Sequence, residues 1–107
     1  PEWQDMATFV VSLTQEQSLP STFSLLPAYP NPFNPTTRID FTIPIESNIT
    51  IKVYSITGSE VASLSNGYYE AGFHSVTWDG ANFASGIYFV QMETDSYQKT
   101  QKLMLVK

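Results

Sequence analysis

The sequence predicts an all-β fold, an antiparallel β-sandwich of about seven strands, and three observations carry that prediction. Apolar residues recur with a period of two from Phe23 onward, which places one face of each segment in a core and the other in water. The composition favours strands: aromatic residues make up 14% of the 107 residues and charged residues only 14%, well below the roughly 25% of an average soluble domain. Turn signals built on Gly, Pro, Asn and Asp recur at short intervals, and no stretch of useful length has helical periodicity. Short strands with regular turns are the pattern of an immunoglobulin-like sandwich.

The elements follow in order. Met6–Leu13 reads as one short strand, and Gln15–Thr22, polar and containing Pro20, as a linker. Residues 1–22 are therefore expected to be the end of a preceding domain plus a linker, and residues 23–107 the sandwich. The alternative is that Met6–Leu13 pairs as an extra strand of this domain. Pro1 is not a natural start, so the chain reads as a piece of a longer protein.

Leu26 to Thr37 contains four prolines, at positions 27, 30, 32 and 35. Each fixes its own φ and biases the preceding residue toward extended conformations. Asn31 and Asn34, each before a proline, favour side-chain-capped turns. The segment is expected to be an ordered loop packed on the domain, with Tyr29 and Phe33 as its anchors.

Ile39, Phe41 and Ile43 alternate with Arg38, Asp40 and Thr42, and Pro44 ends that strand. Ile49, Ile51 and Val53 mark the next, and the two are expected to form a hairpin. Ser55–Gly58 is a turn with Gly58 free to take positive φ. Glu60–Ser65 is a weaker strand anchored by Val61 and Leu64, closed by the strong turn signal Asn66-Gly67. His74, Val76 and Trp78 share a face of the following strand, which Asp79-Gly80 closes. Gly86–Glu93 is apolar on both faces, the mark of a central strand. Asp95-Ser96 reverses the chain into Tyr97–Val106, the last strand.

Charge and composition exclude several functions. A net charge of −5 disfavours nucleic acid, whose phosphates need a basic surface. No apolar run approaches the ~18 residues of a membrane-spanning helix. The lack of cysteine removes disulfides and thiolate metal sites. The start of the chain lacks the charged-then-apolar pattern of a signal peptide.

Candidate chemistry reads as structural. His74 is the only histidine, no Gly-x-Ser-x-Gly elbow accompanies it, and it belongs in or beside the core. Glu70 and Asp79 sit beside glycines at turns, where acids serve the backbone. Asp79 and Asn82 could offer oxygens to calcium, yet no Asp-rich loop surrounds them, and Trp78-Asp79-Gly80 reads as a turn. Asn48-Ile49-Thr50 fits a glycosylation pattern that needs a eukaryotic secretory context to matter. Tyr68, Tyr69, Phe73 and Trp78 offer a sugar-stacking platform, with Trp78 expected inside. A carbohydrate-binding module or a structural spacer of a secreted multidomain enzyme is thus the alternative reading. No catalytic constellation, cofactor site or metal site is expected.

The order of blocks carries a resemblance. Tyr29-Pro30-Asn31-Pro32-Phe33-Asn34-Pro35-Thr36-Thr37 is followed by Ile39–Pro44, Val53–Gly58, Ala71–Gly80 with its Trp78-Asp79-Gly80, Ser85–Phe89, and the ending Lys102-Leu103-Met104-Leu105-Val106-Lys107. This order resembles the type A C-terminal sorting domain of type IX secretion substrates, found in Bacteroidetes and related Gram-negative bacteria. It is also similar to the immunoglobulin-like domain of flagellar hook-capping proteins. The resemblance implies a non-catalytic address that sends an upstream cargo in the same chain across the outer membrane to the cell surface or medium. It implies the outer-membrane secretion machinery as partner and, where the domain is cleaved, a sortase-like signal peptidase. The family's terminal features, Gly86, Tyr88, Lys102 and the apolar end, are present.

The last strand supports that reading physically. Leu103 and Leu105 face one side, Met104 and Val106 the other, so one sandwich can cover only half of them. An edge strand of this kind invites pairing with a partner, and Lys102 and Lys107 limit unwanted pairing; the alternative is a fully internal strand at no recognition surface. Lys102–Lys107 is therefore expected to carry the sorting signal, on a domain expected to be monomeric.

Overall fold

The computed structural model describes residues 19–107, and the strand expected at Met6–Leu13 lies outside them. Seven strands follow in order: β1 (Ser24–Leu25), β2 (Thr36–Ile43), β3 (Ser47–Ser55), β4 (Glu60–Tyr69), β5 (Gly72–Asp79), β6 (Gly86–Glu93) and β7 (Gln98–Leu105). They form a three-stranded sheet, β1-β2-β5, and a four-stranded sheet, β4-β3-β6-β7, all antiparallel. The two pack as the expected sandwich.

The core is the inward parity of both sheets. Ile39, Phe41 and Ile43 of β2 meet Ile49, Ile51 and Val53 of β3, Val90 and Met92 of β6, and Leu103 and Leu105 of β7, all essentially without solvent exposure. Each such side chain contributes roughly 1.5–3 kcal/mol on burial. The alternation in β2 breaks at Thr42, which is buried because its hydroxyl donates to the Thr22 carbonyl at 2.9 Å. β6 lies between β3 and β7, the central position its two-faced apolar pattern predicts.

Two sequence expectations are corrected. β2 and β3 do not form a hairpin: β2 pairs with β1 and β5, whereas β3 pairs with β4 and β6. Pro44 ends β2, and the short link to Ser47 carries the chain from one sheet to the other. Asn66-Gly67 is not a turn but part of β4, where they oppose Thr50 and Ile49. The chain reverses instead between Tyr69 and Gly72. Long pairing with β3 outweighs the local preference of the dipeptide, a tertiary override of a turn signal.

The weak alternation of β4 has a structural counterpart. Ile51 and Lys52 face Ser65 and Ser63, and Val53 and Tyr54 face Ala62 and Glu60. Leu64 and Val61 are thus the extra residues of two bulges, and both pack against the core. Gly58 takes φ +91° in the expected turn, where its N–H donates to the Ser55 carbonyl at 2.9 Å. That is a conformation side chains other than glycine resist.

Candidate functional site

The proline-rich loop, the Trp-Asp-Gly turn and the last strand, far apart in sequence, meet at one end of the sandwich. Phe33 is buried at 2% exposure. Its ring packs on Trp78 at 5.5 Å between centroids, and Trp78 packs on Phe83 at 5.5 Å and on Tyr88 at 5.1 Å. Tyr88 anchors this cluster by donating from its hydroxyl to the Ala84 carbonyl at 2.6 Å. Such offset aromatic contacts add to plain burial.

The loop also closes the edge of β7. The Phe33 N–H donates to the Met104 carbonyl and the Val106 N–H to the Phe33 carbonyl, each at 2.9 Å. Asn31 does the same with its side chain: Nδ2 donates to the Lys102 carbonyl at 2.9 Å, and Oδ1 accepts from the Met104 N–H at 3.0 Å. The loop thereby stands in for a parallel neighbouring strand. Here the structure narrows the sequence reading of an edge open to a partner, because the Lys102 carbonyl, both Met104 backbone groups and the Val106 N–H already have partners.

The turn holds the loop from the other side. The Gly80 N–H donates to the Pro35 carbonyl at 2.8 Å. A Cβ at Gly80 would stand 3.0 Å from Leu105 Cδ2 and 3.4 Å from that same carbonyl oxygen, so a side chain here would press on Leu105. Asp79 Oδ1 accepts from the Ala81 N–H at 2.9 Å, the backbone role that the turn reading assigned to it. Gly86, at φ +153°, redirects the chain into β6. Lys107 is tied back, its N–H donating to Ser85 Oγ at 3.0 Å and its Nζ to the Ala81 carbonyl at 2.6 Å.

Not every residue of the loop motif points inward. Tyr29 is 77% exposed, contrary to the expectation that it anchors the loop. Its N–H and carbonyl both bond to Arg38, so backbone pairing fixes the residue and turns the ring outward. Pro30 contributes its carbonyl, which accepts from Thr37 Oγ1 at 2.7 Å. Pro32 and Asn34 are exposed.

Sequence reasoning missed Gln101 and Tyr97. Gln101 Nε2 donates to the Leu26 carbonyl at 2.6 Å and its Oε1 accepts from the Ala28 N–H at 2.9 Å. The Tyr97 hydroxyl accepts from the Leu25 N–H at 3.2 Å. Both satisfy the backbone of a segment more than 70 residues away, which no local pattern announces.

With the edge closed, β7 presents its outer face. Met104 opposes Ile87, and Lys102 opposes Phe89, which in turn opposes Tyr54. Met104, Ile87, Phe89 and Tyr54 are half-buried, while Val106 and Ile56 beside them are 48% and 68% exposed. Lys102 is exposed and, among the described residues, has no ion pair. Lys52, on the same face, is engaged: Glu60 Oε1 lies 3.1 Å from its Nζ and, chiefly by that hydrogen bond, raises its pKa.

The candidate chemical groups lie apart from this site. His74 is half-buried, stacked on Phe41 at 5.5 Å, with Nε2 2.8 Å from the Glu70 carbonyl oxygen. The proposed sugar platform is divided. Trp78 is inside, Tyr69 packs edge-on against Phe41 and His74, and Tyr68 and Phe73 are exposed on different sheets. The neighbouring Glu46 carboxylate is the main cause that raises the Tyr68 pKa. Among the described residues no group of three or more His, Cys, Asp or Glu side chains is placed to hold a metal ion, and no helix is long and apolar enough to cross a membrane.

Residues 27–107 match the family model of the secretion system C-terminal sorting domain. The chain belongs to that family. The match begins at the proline-rich loop and runs through β7, so it covers the whole assembly just described. Among solved structures, the chain is similar to PorZ, an essential bacterial surface component of the type IX secretion system of Porphyromonas gingivalis. The TM-score is 0.55 at 21% identity, over 78% of this chain and 12% of PorZ. That likeness concerns the fold, and this chain spans only about an eighth of PorZ. No curated protein matches. The sorting domain is a C-terminal secretion signal of the type IX system, and such a signal implies export to the cell surface or medium.

Proposed function

We propose that the sorting domain is read through the outer face of β7, with Lys102 and Met104 at its centre and Ile87, Phe89 and Val106 around them. The observation that carries this is the partly closed edge: from the Lys102 carbonyl to the Val106 N–H, Asn31 and Phe33 take the backbone bonds a partner strand would need. At the end of the terminal strand, the side chains of the outer face are therefore the larger part of what is left for recognition. Half-buried apolar groups supply contact area, and the unpaired Lys102 supplies orientation toward an acidic or carbonyl-lined surface of the outer-membrane machinery. The cargo is upstream in the same chain and passes from the periplasm across the outer membrane of a Gram-negative cell. The domain itself is an address without catalysis, and a sortase-like peptidase is its partner where it is removed.

The test is a secreted reporter fused to the sorting domain. Lys102→Gln with Met104→Thr changes the outer face and leaves Leu103 and Leu105 in the core. The expected result is reporter retained in the periplasm with an unchanged melting temperature of the purified domain. Export at the wild-type rate by the folded double variant would refute the reading.

A further inference from the structure

Two sheets have four edge strands, and the described residues blunt three of them. β1 is two residues long, its outward Leu25 N–H donates to the Tyr97 hydroxyl, and Gln101 holds the backbone of Leu26 and Ala28 just after it. β4 is broken by two bulges. β7 is covered by Asn31 and Phe33 and carries Lys99 and Lys102. These are the devices by which proteins blunt an edge.

Among the described residues, β5 has none of them. All eight of its residues pair with β2 in unbroken register, and Gly72–Asp79 contains no proline, lysine or arginine. The bonds of Arg38 and Asp40 to Tyr29 and Leu26 show that the even residues of β2 face β1. The odd residues of β2 therefore face Gly72, His74, Val76 and Trp78. That leaves the N–H and carbonyl of Phe73, Ser75, Thr77 and Asp79 pointing away from the sheet. All four residues are exposed, Phe73 at 62%.

We propose that this edge pairs antiparallel with β5 of a second copy of the chain, joining two three-stranded sheets into one continuous sheet. The edge is self-complementary. A two-fold axis at Val76 sets Ser75 opposite Thr77 of the second copy and Phe73 opposite its Asp79. Each of the four residues then gives one donor and takes one acceptor bond. Ser–Thr is a favourable cross-strand pair, and the only charge at the seam, Asp79, meets an aromatic ring instead of a like charge. A dimer closed by a two-fold axis also uses up both edges, which prevents growth into fibres. The outer face of β7 is on the other sheet, so the proposal is independent of how the signal is read.

The test is sedimentation equilibrium of the 107-residue chain from about 10 µM to about 1 mM, a range suited to a small interface. The expected result is an average mass that rises toward twice the monomer. Placing lysine at both central positions, Ser75→Lys with Thr77→Lys, sets like charges opposite each other. It should weaken association by about tenfold or more, the factor carried by ~1.4 kcal/mol. Amide exchange of the unaltered chain gives a second reading, because the N–H groups of Ser75 and Thr77 should exchange more slowly as concentration rises. A chain that stays monomeric throughout overturns the proposal and leaves the edge to Met6–Leu13 or to a strand of another protein. So does a folded lysine variant that dimerises as tightly as the unaltered chain, or concentration-independent exchange at those two amides.

Discussion

Phe33 and Tyr29 stand four residues apart in the same loop, and the sequence gives both the same apolar promise. Their environments differ so much that mutation should separate them. Phe33→Ala removes a ring packed on Trp78 and leaves a cavity beneath β7, so it should cost about 3–5 kcal/mol. Tyr29→Ala removes a ring that is already in solvent and should change stability by about 0.5 kcal/mol or less. Urea unfolding of the two variants measures the difference directly, and equal losses would contradict the placement of Phe33. A second residue-level test concerns Tyr68. The neighbouring Glu46 carboxylate favours the protonated phenol, which raises the Tyr68 pKa above the ordinary tyrosine value of 10.0. A raised folded pKa means the contact stabilises fully below the unfolded value and is lost as pH rises through the folded one. NMR titration of ring-labelled tyrosine should show this shift, and Glu46→Ala should move Tyr68 back down.

Among the elements, those defined by their own side-chain pattern were legible in the sequence. The inward faces of β2, β3 and β6 fall where the period-two reading places them, since each strand buries the residues its own alternation marks. What escaped the sequence was pairing. Pro44 correctly ends a strand, yet nothing local says that the next strand joins the other sheet. Asn66-Gly67 carries turn chemistry that β3 overrides. The most consequential miss is the closure of β7 by Asn31 and Phe33. A side-chain amide that imitates a neighbouring strand across more than 70 residues leaves no periodic trace. Gly80 lies between these cases, legible as a turn glycine but not as the spacer between Pro35 and Leu105. Gly80→Ala forces a methyl to within 3.0 Å of Leu105 Cδ2. It should destabilise the domain by about 1–3 kcal/mol, as overpacking does. Thermal unfolding checks it, and a neutral result would mean that the turn and β7 yield without cost.

Across the whole molecule, the signal and the fold share the same strand. β7 pairs with β6 over its full length, contributes Leu103 and Leu105 to the core, and holds the proline-rich loop through residues 102–106. Removing Leu103–Lys107 therefore takes away two fully buried leucines, each worth at least the ~2–5 kcal/mol of a core leucine truncated to alanine, together with the support of Phe33. A small domain has about 5–15 kcal/mol of stability in all. The truncated chain is expected to lose its cooperative melting transition, which circular dichroism would report. A reporter carrying that truncation would then stop in the periplasm for want of a folded domain, and its retention would say nothing about recognition. The outer-face variant at Lys102 and Met104 is the discriminating one, because it changes what a partner meets while the core leucines remain. If the truncated domain instead melts cooperatively near the temperature of the intact one, β7 is dispensable to the fold. Its core leucines and its hold on the loop would then have to be explained by recognition alone.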